Sequence, residues 1–137
     1  EDQDFALRHT SQGGKIIFLP EAEVIHRDNA FNIRGYCQRN EWGSRLMKPF
    51  YQRYPDLSIN IERERINGLI KWGKEPSLNS LRKLLKAIIA SKLSVATLFK
   101  LTDLLEKFAP DSSVLERLYR ILLGAHIFRG YREAVKK

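Results

Sequence analysis

The segment "EDQDFALRHTSQGGKIIFLPEAEVIH" (residues 1–26) decides how the rest of the chain is read. Three carboxylates, Glu1, Asp2 and Asp4, fall within its first four positions, and an amphipathic run follows at once. Acidic residues complement the positive end of a helix dipole, and Gly13-Gly14 stops a helix. The pattern therefore predicts a short helix over 2–12, with Phe5, Ala6 and His9 on one side. "KIIFLP" (15–20) reads as a short buried strand stopped by Pro20, and "AEVIH" (22–26) as a second strand or a continuation of the first. A helix of about eleven residues carries the chain outward by roughly 17 Å. Five or six strand residues at about 3.3 Å each bring it back. Asp2 and His26 are thereby expected on one edge of one layer, where a carboxylate and an imidazole serve as general base and metal ligand. The plainer reading stands beside it: acidic residues at a helix start are ordinary dipole complements, and a lone His at a strand end is commonly a surface residue. Spacing leaves both open.

Outward from this segment, "RDNAFN" (27–32) is a polar turn, and from about Asn32 the period becomes helical. Ile33, Tyr36, Cys37, Met47, Phe50 and Tyr54 recur at spacings of three, four and seven, with Gly43 and Pro49 as weak points and Pro55 as a stop. Further helices are expected over about 61–72, 77–90, 94–108 and 113 to the end, the last two separated by "APDSS" with its ready N-caps. The 137 residues amount to about one domain, and 43% apolar content argues against disorder. A single cysteine, Cys37, excludes an intrachain disulfide framework and a multi-cysteine zinc site, and fits a reducing, cytoplasmic setting. The stretch "ILLGAHIF" (121–128) is far short of the roughly 18 apolar residues a membrane span needs.

The net charge of +8 is unevenly placed. Residues 1–62 carry eight Lys/Arg against nine Asp/Glu, and residues 63–137 carry sixteen against seven. Basic halves usually meet phosphates, in nucleic acid or in lipid headgroups.

Taken together, the first 26 residues resemble the C-terminal section of the catalytic domain of bacterial family 2 glycosyltransferases, which have the GT-A fold. The resemblance rests on Glu1-Asp2, Asp4, Phe5, Leu7, Arg8, Gly14, Ile16 to Leu19, Pro20, Val24 and His26, in that order and spacing. "RGYCQRNEWGSRLMKPFYQRYP" (34–55) is similar to the helix that follows in that family, the match thins after about residue 56, and "LYRILLGAHIFRGYRE" (118–133) resembles the tail of many such enzymes. The implied fold is an α/β fragment, the end of a GT-A domain over 1–56, followed by an all-helical basic region over 57–137. The implied activity is inverting, hexosyltransferase-type sugar transfer from a nucleotide-sugar to a glycan or lipid-linked acceptor, in cell-envelope or polysaccharide synthesis. Asp2 would be the catalytic base, Glu1, Asp4 and Arg39 would bind the acceptor, and His26 would bind a divalent metal, Mn2+ or Mg2+. Arg39, and more weakly Arg34, would face the diphosphate or the acceptor, or else both are solvated helix charges. The opening on "ED" then implies a fragment, with the nucleotide-binding half and its Asp-x-Asp upstream and this chain inactive alone.

The basic half admits other readings. On a helical wheel Leu78, Leu81, Leu84, Leu85, Ile88 and Ile89 fill one arc, and Asn79, Arg82, Lys83 and Lys86 the other. Such a helix either lies on an anionic membrane surface or packs its apolar side into a core under a solvated basic face. Between Leu118 and Phe128 the last helix is apolar nearly all round, which predicts burial, a homodimer contact or interfacial insertion. Trp72 reads as a packing residue. A helix-turn-helix DNA-binding reading covers 80–105, but the turn lacks Gly and the second helix lacks base-reading Arg, Asn or Gln, which argues against nucleic acid. A non-catalytic helical adaptor is the remaining alternative.

Overall fold

The computed structural model of the chain describes residues 2–22 and 32–136, without the side chains of Asp2, Gln3 and Ile59. The described residues form seven helices in two compact units, Glu1–Phe31 and Asn32–Lys137.

In the first unit, α1 (Asp2–Ser11) ends as the sequence predicts. Gly13 N–H donates to Thr10 O at 3.1 Å and Gly14 N–H to His9 O at 3.0 Å. This paired closure requires a left-handed residue, supplied by Gly13 at φ +83°. A Cβ on Gly14 would sit 2.3 Å from His9 Nε2, a contact that the exposed imidazole can relieve by turning aside.

The α/β expectation for this part of the chain is not met. No strand occurs among the described residues, and the first expected strand, 15–20, has no ladder. Ile16, Ile17, Phe18 and Leu19 are 60–86% exposed. A strand exists only by pairing its N–H and C=O groups with a neighbour, and no described segment offers that edge. Most of the second expected strand, with His26, lies outside the described residues.

The second unit is built on α7 (Ser113–Lys136), whose 24 residues give it a length of about 36 Å. Along it lies α2 (Ile33–Leu46), started by Asn32, whose side chain accepts from the N–H groups of Arg34 and Gly35. The chain breaks at Met47, and α3 (Lys48–Arg53) restarts with a proline in its first turn. Then come α4 (Ser58–Asn67), α5 (Ser77–Ile89) and α6 (Lys92–Phe108), the last begun by Ser91 Oγ, which accepts from Ser94 N–H. Ile33 and Cys37 of α2, Val95 and Phe99 of α6, and Leu122, Ala125 and Phe128 of α7 form one core. Burial explains most of the near-continuous apolar surface of α7: Leu118, Leu122, Ala125, His126 and Phe128 are covered, while Ile121 is 42% exposed.

Gly130 sets how close α2 and α7 come. A Cβ there would lie 2.1 Å from Glu41 O and 2.9 Å from Ser44 Cβ, so α7 meets the backbone of α2 directly at this point.

Helix α5 is turned opposite to the simple core-packing reading. Its buried residues are Ser80 and Lys83, while its leucines and isoleucines are 37–56% exposed. Lys83 explains the orientation. Its ammonium donates to Glu75 Oε2 at 2.6 Å and to Leu69 O at 3.2 Å, and its side chain is 2% exposed. Lys86, on the same side, donates to Asn67 Oδ1 at 2.9 Å, and burial pushes its ammonium pKa down. Trp72 is 75% exposed, so it is not the packing residue the sequence predicts.

Candidate functional site

Asp2 is the first residue of α1, and Asp4 follows within the same turn. The orphan N–H groups of a helix start favour anions, which is why this order of carboxylates folds as a helix head. Asp4 Oδ2 lies 3.1 Å from Arg8 Nε in an i,i+4 pair that braces the first two turns. Phe5 and His9 stack on the same helix with ring centroids 6.0 Å apart. Glu1 and His26 lie outside the described residues.

Arg39 belongs to the second unit. It is exposed on α2, its guanidinium 5.5 Å from the centroid of the Tyr36 ring one turn earlier. Arg34 is occupied: it pairs with Asp103 of α6 and lies 4.4 Å over the Phe99 ring.

The second unit also carries polar clusters that the sequence reading missed. In the α2–α7 seam His126 Nδ1 lies 2.5 Å from Glu41 Oε2, both side chains nearly covered. Glu41 Oε1 is 3.5 Å from Arg129 and 3.7 Å from Arg45, and Arg45 also pairs with Glu133. Nδ1 therefore carries the proton toward the carboxylate, and Nε2 is buried without a protein partner. Glu41 and His126 are 85 positions apart, and only the i,i+4 relation of Glu41 to Arg45 was visible locally. Cys37, fully buried beside them, has its thiol pKa pushed up to about 11, by burial first and by Glu41 second.

A groove of about 440 Å³ lies where α3, α4 and α7 meet, lined by Lys48, Tyr51, Gln52, Asn60, Glu64 and Tyr131 among others. Tyr131 donates its hydroxyl to Glu64 Oε2 at 2.6 Å, and burial followed by that carboxylate pushes the phenol pKa well up. The Tyr51 and Tyr131 rings are 5.2 Å apart. Asn60 donates to Tyr54 O at 2.6 Å.

Among the described residues no group of three or more His, Cys, Asp or Glu could hold a metal ion. His26, the residue the resemblance assigns to the divalent metal, is not among them. No helix among the described residues is long and apolar enough to cross a membrane.

No protein-family model, no curated protein and no solved structure matches the chain.

Proposed function

We propose that the chain contributes the general base of an inverting glycosyltransferase. The observation that carries this reading is the order Glu1-Asp2-Gln3-Asp4, with a helix that begins at Asp2 and is closed by Gly13-Gly14. A sugar hydroxyl is a poor nucleophile, and a carboxylate within hydrogen-bond reach assists its proton loss in the transition state. Asp2 takes the acceptor proton as the hydroxyl oxygen attacks the anomeric carbon. The bond from that carbon to the diphosphate oxygen breaks, and the nucleoside diphosphate leaves with its electron pair. Attack opposite the leaving group inverts the anomeric centre. Glu1 and Asp4 belong to this reading as acceptor-binding residues, and the Asp4–Arg8 pair braces the helix head. A glycan or lipid-linked acceptor in envelope or polysaccharide synthesis, and a cytoplasmic location, belong to the same reading.

Asp2→Asn keeps the size and removes the base. In the native protein that contains this segment, we expect transfer to fall by at least about a hundredfold, the lower end of what a positioned general base contributes. Circular dichroism should be unchanged. Radiolabelled sugar transfer to a native acceptor extract measures the outcome, and full turnover by the Asn variant would overturn the assignment.

A further inference from the structure

We propose that the outward face of α5, together with Trp72, docks on an anionic lipid bilayer. At 100° per residue, Leu78, Leu81, Leu84, Leu85, Ile88 and Ile89 cover an arc of about 140°. Lys83 lies opposite, facing the protein, and Ser80 is buried at one border of the arc. The two shallow grooves that border the arc differ in character. One is shared by Trp72, Leu81 and Leu84. The other is shared by Arg65, Arg82, Leu85 and Ile89. An apolar ridge with an indole on one flank and guanidinium groups on the other is the pattern of a helix lying in a membrane interface.

Charge selects the occupant. Residues 69–95 hold six Lys/Arg and one Asp/Glu. The single carboxylate, Glu75, is consumed by Lys83 on the inner side, while Lys71 is paired with Glu64 and Arg65 of the bordering groove with Glu62. Lys74, Arg82 and Lys92 are exposed, with no carboxylate partner among the described residues. A second copy of the chain would bring these cations against their own kind, and nucleic acid would put phosphates against leucine. Anionic headgroups above an acyl phase satisfy both halves of the surface, with each cation near the headgroups adding to the attraction. Lipid docking by this face is independent of the sugar-transfer reading and stands or falls without it.

The test uses the 137-residue chain, vesicles of phosphatidylcholine with one third phosphatidylglycerol, and vesicles of phosphatidylcholine alone. Co-sedimentation is expected with the anionic vesicles and weakened by added salt. In a Trp42→Phe background, the Trp72 emission should shift to the blue on binding. Leu81→Glu with Leu85→Glu should cut partitioning by at least about tenfold, the loss expected from withdrawing two leucines from an apolar phase. Both side chains are half exposed, so the variant is expected to keep the parent circular dichroism. Equal binding to neutral vesicles would overturn the anionic assignment. So would unchanged binding by the double variant. Failure to bind either vesicle, with self-association in gel filtration that the double variant abolishes, would assign the face to a second copy instead.

Discussion

Gly130→Ala is expected to destabilise the second unit by about 2–3 kcal/mol, the upper range for overpacking a close contact. That corresponds to a melting temperature lower by roughly 10 °C for a unit of this size. The sign makes the test sharp. Alanine is the better helix former by about 1 kcal/mol, so local propensity alone predicts a gain. The loss arises because the added methyl would meet the Glu41 carbonyl at 2.1 Å, and that neighbour is backbone, which cannot swing aside. To make room α2 must lift from α7, which opens the layer around Ile33, Cys37 and Leu122. Gly124 is the internal control. It lies on the exposed side of the same helix, with nothing within 4 Å of the point an added methyl would occupy. Gly124→Ala should raise stability by about 0.5–1 kcal/mol. Thermal melts of the two variants should therefore move in opposite directions. A gain in both would mean that α2 and α7 are not in this close contact.

Lys83→Met is expected to give the second large loss. The substitution keeps the length of the side chain but strands the Glu75 carboxylate, which then retains only the Lys71 N–H and the Ser80 hydroxyl as donors. Removing one member of a buried pair is far more damaging than removing both. The double variant Lys83→Met with Glu75→Leu should accordingly recover much of the loss. Breaking the exposed Arg120–Glu116 pair should change little, because both side chains are more than 60% exposed. A single variant that melts like the parent would show that the lysine does not fix α5.

Acid sensitivity gives an independent reading of the same contact. The Glu75 carboxyl is held below its ordinary value of 4.5, first by the Lys83 hydrogen bond and then by the Lys71 N–H. A depressed carboxyl stabilises the fold fully above its ordinary value, and that contribution is lost as pH falls through the folded-state value. The parent should therefore lose stability more steeply than the double variant as pH drops below about 4.5.

Most of the helices were legible because they are periodic, but the one expected over about 61–72 runs instead from Ser58 to Asn67, and Gly68 to Trp72 are not helical. Ser77–Ile89 and Lys92–Phe108 begin or end within two residues of the expected positions, and the break in 32–54 falls at Met47, between the two weak points Gly43 and Pro49. The strand was not legible, since "KIIFLP" has the composition of one but composition cannot supply the neighbour whose edge completes it. The direction in which α5 faces was also hidden. A wheel shows which residues are apolar, and it took the Lys83–Glu75 bond, eight positions apart across a loop, to turn that side outward. At the candidate site, the acidic helix head was readable from Asp2 and Asp4. The seam that joins Glu41 to His126 was not, because each of its halves looks like ordinary helix surface in isolation.

Cys37 turns that seam into a stopwatch. It is the chain's one sulfhydryl, it has no exposure, and its thiolate form is suppressed near neutral pH. An alkylating reagent can reach the sulfur only while α2 stands away from α7. The rate of its capture therefore counts how often the native protein breathes along this line, without any added probe.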